Sequence, residues 1–140
     1  LAGRVCIGFA ARFAAEKGVE YLLEALPRVA AEIPEACLVF TGAYKDTVGE
    51  EDYHARLRPL LERHRDRIRI LDLLGPVQLA SFFSLCRVLA VTSLNSTESF
   101  GLVQAEAMLA GTPVVTSNLP GVRQAVHLTG MGEVVPCGDP

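Results

Sequence analysis

The stretch Val88-Leu89-Ala90-Val91-Thr92, Ser93-Leu94-Asn95-Ser96-Thr97-Glu98-Ser99, Phe100-Gly101-Leu102-Val103-Gln104-Ala105-Glu106-Ala107-Met108-Leu109-Ala110, Gly111-Thr112, Pro113-Val114-Val115-Thr116 decides the fold. Its two short runs, Val88–Thr92 and Pro113–Thr116, are nearly continuous in apolar residues and show no alternation. Strands of a parallel sheet, covered on both faces, read this way. Between the runs lie a polar loop and a segment of helical length, Phe100–Ala110. The whole is one strand–helix–strand unit.

The same alternation extends outward in both directions. Further strand-like runs are Val5–Ala10, Ala36–Thr41, Ile68–Leu71 and Glu133–Val135. The intervening helix candidates are Gly18–Ala31, Asp52–Arg65, Val77–Leu85 and Val122–Leu128. The first carries apolar residues at 19, 22, 23, 26, 29 and 30, a helical stripe. The second places Tyr53, Leu57, Leu60, Leu61 and His64 on one side, and Pro59 within it implies a kink or a late start. Repeated alternation predicts a doubly wound α/β fold, a mostly parallel Rossmann-like sheet with helices on both faces.

Composition narrows the function classes. The chain has 140 residues, 50% of them apolar and 21% charged, which suits one globular domain and not a disordered segment. A net charge of −3 argues against nucleic acid as a partner. No apolar run approaches the ~20 residues of a membrane span, and no signal-peptide pattern opens the chain. It starts at Leu1 and stops on Gly138-Asp139-Pro140, so residues 1–140 are expected to be one domain excised from a longer protein. Cys6, Cys37, Cys86 and Cys137 have no metal-ligand spacing. The first three fall in apolar runs and are expected as buried free thiols, which fits a reducing cytoplasm.

Charge placement singles out the second half. Residues 45–72 hold 14 charged side chains, read as a solvated helix and its flanks, whereas residues 73–140 hold six. Two of those six, Glu98 and Glu106, flank the start of the helix after Thr92. Ser96, Thr97 and Ser99 are candidate caps, and Gly101 in the first turn permits close approach of a ligand to the backbone. Helix N-termini attract anions, so phosphate fits here. The helix is apolar nearly all round except for Gln104 and Glu106 and is therefore expected to be buried. A buried carboxylate needs partners. For Glu106 these are either a neighbouring loop or a pair of ligand hydroxyls. Glu98 either complements an empty helix start or, with phosphate bound, is held by sugar hydroxyls. Arg12 and Lys17, in the loop after the first strand, lie on the same sheet edge and are either ordinary surface charges or a diphosphate clamp. That loop is neither GxxxxGK[ST] nor GxGxxG. His54, His64 and His127 are isolated and read as solvated or structural.

Together these segments resemble the retaining glycosyltransferases of family four, with their two-domain GT-B architecture. The family pattern runs G-R-L-x-x-x-K-G, then a strand ending P-S, then E-x-F-G-L-x-x-x-E-A-M-x-x-G-x-P-V-V, then a glycine-rich loop. This chain has Ala11-Arg12-Phe13-Ala14-Ala15-Glu16-Lys17-Gly18 and then Glu98-Ser99-Phe100-Gly101-Leu102 through Glu106-Ala107-Met108-Leu109-Ala110-Gly111-Thr112-Pro113-Val114-Val115. Leu74-Gly75 and Gly138-Asp139 extend the match over nearly the whole chain. Departures are Ala11 for Gly, Tyr44 for a second Gly, Thr92 for Pro, Pro120-Gly121 for a Gly pair and Gln124 for Glu.

The resemblance implies a C-terminal, donor-binding domain. Arg12 and Lys17 would bind the donor diphosphate and stabilise the leaving group. Ser99 and the amides around Phe100, Gly101, Leu102 and Val103 would extend that clamp. Glu106 would hold ribose hydroxyls, and Glu98 would contact hydroxyls of the transferred sugar. The segment Arg69–Leu74 would edge the base. No metal and no cofactor is expected, since protein cations do the neutralising. The acceptor, a glycan, lipid or small molecule, would sit on a missing N-terminal domain. The isolated chain is then expected to bind nucleotide weakly and transfer nothing. The expected location is the cytoplasm, with peripheral association at the inner membrane face open to the full-length protein. A GT-B-like epimerase half and a non-catalytic regulatory α/β module stay open as alternatives. A phosphorylase is disfavoured, since Lys17 and Lys45 are the lysines present and neither is marked as a pyridoxal site.

Overall fold

The computed structural model describes residues 2–44 and 49–140; Lys45 lies outside them. Six strands run β1 (Val5–Ala10), β2 (Ala36–Thr41), β3 (Ile68–Ile70), β4 (Val88–Val91), β5 (Val114–Ser117) and β6 (Gly132–Val135). They form one sheet in the order β3-β2-β1-β4-β5-β6. Every neighbouring pair is parallel. Five helices connect them: α1 (Val19–Glu32), α2 (Glu51–Arg63), α3 (Pro76–Leu85), α4 (Leu102–Leu109) and α5 (Gln124–Thr129).

The strand side chains explain the layers. Successive residues point to opposite faces, so a fully buried strand must be apolar at every position. Along β2, Leu38 and Phe40 enter a core with Leu23 and Leu26 of α1 and Leu57 of α2. Cys37 and Val39 enter a second core with Phe82 and Phe83 of α3, Ala107 of α4 and Val126 of α5. Helices α1 and α2 thus cover one face, and α3 to α5 the other. This is the outcome of right-handed crossovers on a sheet whose order reverses at β1.

Two helix expectations need correction. Helix α2 does not start late at Pro59; it begins at Glu51 and continues through Pro59. Burial of Tyr53, Leu57 and Leu61 anchors both ends of α2, and this outweighs the one hydrogen bond that proline removes. Helix α4 begins at Leu102, two residues later than expected, for a reason given below. The cysteines behave as read: Cys6, Cys37 and Cys86 are buried free thiols and Cys137 is exposed. Burial, aided by neighbouring thiols, pushes Cys37 up to about 11 and Cys86 up to about 12, so both stay protonated at neutral pH. No described helix is long and apolar enough to cross a membrane.

Candidate functional site

In an open α/β sheet the crevice lies beyond the carboxyl ends of the strands, where the order reverses. Here that point falls between β1 and β4. The loops leaving these strands are residues 11–18 and 92–101, and they are joined directly. The Thr92 hydroxyl donates to the Lys17 carbonyl at 2.7 Å, and the Leu94 N–H donates to the Glu16 carbonyl at 2.9 Å. Gly18 permits the approach: its φ is +62°, and a Cβ there would lie 2.5 Å from the Thr92 carbonyl oxygen. The Thr92 departure from the family pattern has a physical use here, because proline has no hydroxyl to give.

Across this join, Lys17 Nζ meets Glu98 Oε2 at 2.5 Å, and the Ser93 hydroxyl lies 3.4 Å from the same oxygen. Both charged side chains are largely shielded, at 17% and 20% exposure. Arg12 is not free beside Lys17. Its guanidinium pairs with Glu16 at 2.5 Å, one helical turn along the loop. Burial acts to raise the Glu16 carboxyl. Hydrogen bonds from its own backbone N–H and from Arg12, together with the charges of Arg12 and Lys17, outweigh that and hold it below the usual carboxylate range.

The start of α4 differs from the expectation. None of Ser96, Thr97 and Ser99 caps it. Gly101 is the N-cap, in the left-handed region at φ +71°, with no side-chain bond to the helix. Thr97 instead turns back on Asn95, whose Oδ1 accepts from the Thr97 N–H at 3.0 Å. The first amides of α4 therefore lack side-chain acceptors, as an anion site requires. Leu102 itself is 74% exposed, so only its backbone is placed for such a role.

Burial on α4 also falls on the other polar residue. Glu106 is exposed, and Gln104 is completely buried. Two positions apart on a helix means nearly opposite faces. The face with Gln104 and Ala107 packs inward. A neutral amide is also cheaper to bury than a carboxylate. Gln104 Nε2 donates to the carbonyls of Phe100 at 2.7 Å and Val122 at 3.0 Å, tying the helix start to the segment before α5. Replacing Gln104 with leucine leaves two carbonyls without that donor and is expected to cost about 2–3 kcal/mol in urea unfolding. Exposed Glu106→Gln should stay within about 0.5 kcal/mol.

Glu106 nonetheless faces a site. It lines a cavity of about 330 Å³ with Arg12, Thr41, Leu73, Leu74 and Val103. The Thr41 hydroxyl donates to the Asp72 carbonyl at 2.9 Å, which fixes the 71–74 segment along the cavity. A larger cavity of about 460 Å³ lies between α1 and the sheet, but its floor is apolar, including Ile7, Val88 and Val115. Convergent charge marks the smaller one as the candidate. The structure thus gathers Arg12, Val103 and Glu106 around one cavity and joins Lys17 to Glu98. Ser99 and Phe100 follow Glu98 in sequence, and the Ser99 carbonyl lies against Gly121. The sequence assigns no part in the site to Glu16, Gln104 or Gly121. Of the histidines, His54 is structural: Nε2 lies 2.9 Å from the Phe13 carbonyl, and its ring stacks on Tyr44. Among the described residues, no three His, Cys, Asp or Glu side chains form a metal-holding group.

The fold and crevice define a Rossmann-like domain with a charged switch point, of the kind found in GT-B glycosyltransferases. The chain belongs to the family described as "Glycosyl transferases group 1", whose model matches residues 4–140. It is 34% identical over 137 residues to a D-inositol 3-phosphate glycosyltransferase of Corynebacterium diphtheriae, covering 96% of this chain and 31% of that protein. It is 33% identical over 123 residues to a phosphatidyl-myo-inositol mannosyltransferase of Mycobacterium leprae, covering 88% of this chain and 30% of that one. Among solved structures, HepE of Anabaena in complex with UDP superposes with a TM-score of 0.86 at 27% identity, over 99% of this chain and 36% of that one. Sucrose-phosphate synthase of Thermosynechococcus elongatus gives 0.83 at 30% identity, over 99% and 34%. The chain spans about a third of the length of these relatives.

Proposed function

We propose that this chain binds the nucleotide-sugar donor of a retaining hexosyltransferase. The observation that carries this reading is the 2.5 Å contact between Lys17 and Glu98. In a nucleotide sugar the diphosphate and the ring hydroxyls are covalent neighbours. Groups that bind the two must therefore be neighbours as well, one cationic and one a hydroxyl acceptor. Lys17 and Arg12 take the diphosphate, with the backbone from Ser99 to Val103. Glu98 takes sugar hydroxyls, Glu106 the ribose hydroxyls, and the 71–74 segment the edge of the base. HepE structures with UDP and glucose, and with UDP-glucose, support this class of ligand.

The chemistry follows from charge. As the bond from the sugar C1 to the phosphate oxygen breaks, its electron pair leaves with the diphosphate and C1 becomes cation-like. Fixed cations and helix amides aimed at the departing oxygen act in the transition state, where they count. The acceptor hydroxyl adds to C1 on the face the diphosphate leaves, and its proton passes to the departing phosphate oxygen. The reading assigns the neutralising charge to Arg12 and Lys17, without a metal. The acceptor is held by the rest of the protein. A lipid acceptor would bring the full-length protein to the inner membrane face. Calorimetry with UDP, GDP and ADP tests the ligand. The full-length protein should bind one of them and transfer sugar, and the isolated 140-residue chain should bind it weakly and transfer nothing. Transfer by the isolated chain, or no nucleotide bound by the full-length protein, counts against the reading.

A further inference from the structure

The loop that carries Arg12 also carries its own substitute for a phosphate. Arg12 and Glu16 are four residues apart and meet at 2.5 Å. The two partners are not equally free. The Arg12 side chain is 54% exposed and that of Glu16 only 17%. Glu16 sits in a tight turn, residues Ala15–Lys17, and its carbonyl is fastened to the Leu94 N–H. The carboxylate is therefore the fixed end of the pair and the guanidinium the end that can swing. Arg12 lines the candidate cavity, whereas Glu16 is not part of its wall.

We propose that Glu16 is a counter-anion for Arg12, displaced by the donor diphosphate on binding and regained by Arg12 as the nucleoside diphosphate leaves. This rests on the reading of Arg12 as a diphosphate ligand. The physical case is one of competition. A diphosphate offers more charge and more oxygens than one carboxylate, and guanidinium binds both through the same planar fork. The diphosphate therefore wins when present. A well-ordered carboxylate one turn away still lowers the net gain, since one ion pair is broken for each one made. The depressed carboxyl of Glu16 keeps it charged through the neutral range, so the competition persists there. Glu16 is thus a positioning residue: it parks Arg12 without donor and hastens release of the spent nucleotide. Partly exposed pairs are weak, so the effect is modest, roughly two- to fivefold.

The test is a mutant cycle on the full-length protein. Calorimetry and stopped-flow displacement are run with UDP or GDP, whichever binds more tightly. Glu16→Gln should bind the nucleotide about two- to fivefold more tightly, with the change in the dissociation rate. In an Arg12→Ala background the same substitution should have no effect. A residue that merely stiffened the loop would alter binding with or without Arg12. Glu16→Asp keeps the charge but shortens its reach, and should reproduce the tightening if Glu16→Gln folds poorly. Unchanged or weaker binding in both Glu16 variants, with Arg12→Ala still weakening it, overturns this inference and leaves the donor reading standing. Unchanged binding in Arg12→Ala overturns the assignment of Arg12 itself, and this inference with it.

Discussion

Lys17→Ala in the full-length protein is expected to lower kcat/KM for sugar transfer by about 10²–10³ and to leave the fold intact. The magnitude is that of removing one fixed donor aimed at charge that develops in the transition state. Arg12 does not replace it, because in the proposed complex Arg12 is itself already engaged on the diphosphate. A stability cost of about 1–3 kcal/mol is expected beside it, because both side chains are only about one-fifth exposed and Glu98 loses its cation. Steady-state kinetics together with thermal unfolding separates the two quantities. Glu98→Ala serves as the partner experiment. It should also lose activity, through the sugar hydroxyls and through the position of Lys17. Full activity in both variants would remove the site assignment.

The second large effect is expected from a residue without a functional group. A Cβ on Gly121 would lie 1.6 Å from the Ser99 carbonyl oxygen and 2.8 Å from its carbon. Both are main-chain atoms, so no side chain can rotate away. In Gly121→Ala either the segment before α5 or the loop before α4 must move. The overlap is expected to cost about 1–3 kcal/mol or more. Donor binding should fall by at least about tenfold, because the displaced backbone is the part proposed to hold the diphosphate. Gly75→Ala is the control. Gly75 has an ordinary φ of −70°, and its Cβ would meet only Gln78 Oε1, at 3.5 Å. It should remain near wild type in both urea unfolding and nucleotide calorimetry. Equal damage from both substitutions would argue against the close approach as the cause.

The fold was legible because parallel strands buried on both faces leave a plain trace. Val5–Ala10 and Ala36–Thr41 match the observed β1 and β2 at both ends. Where the reading slipped, a tertiary fact had overruled a local signal. Three hydroxyl residues before Phe100 look like caps, but Gly101 in a left-handed turn starts the helix. Near-uniform apolarity along α4 implied burial all round, yet Leu102 and Leu109 are 74% and 89% exposed. The polar side chain that is buried and needs partners is Gln104. A choice between Gln104 and Glu106 needed to know which face of the helix turns inward, and a helix apolar on most sides gives no such direction. Arg12 and Lys17 are candidates by their place on the sheet edge, Glu98 and Glu106 by charge sparsity, and all four by motif. Their pairing leaves no such trace. Lys17 and Glu98 are 81 positions apart, and nothing local to either points to the other. Nothing in the sequence marks Glu16, whose role depends on the Arg12 contact.

The join between the two switch-point loops has a consequence for how such a domain diversifies. It is made from the Leu94 amide, the carbonyls of Glu16 and Lys17, and one hydroxyl at Thr92. Asn95, Ser96 and Thr97 lie just beyond it with exposed side chains. Their identities can drift without loosening the join, since main-chain atoms are the same whatever residue carries them. Under the proposed donor reading, these three exposed positions can therefore vary beside the sugar-binding Glu98 while the join stays as it is. A combinatorial library confined to residues 95–97 would sample that freedom directly, with the charged clamp left as inherited.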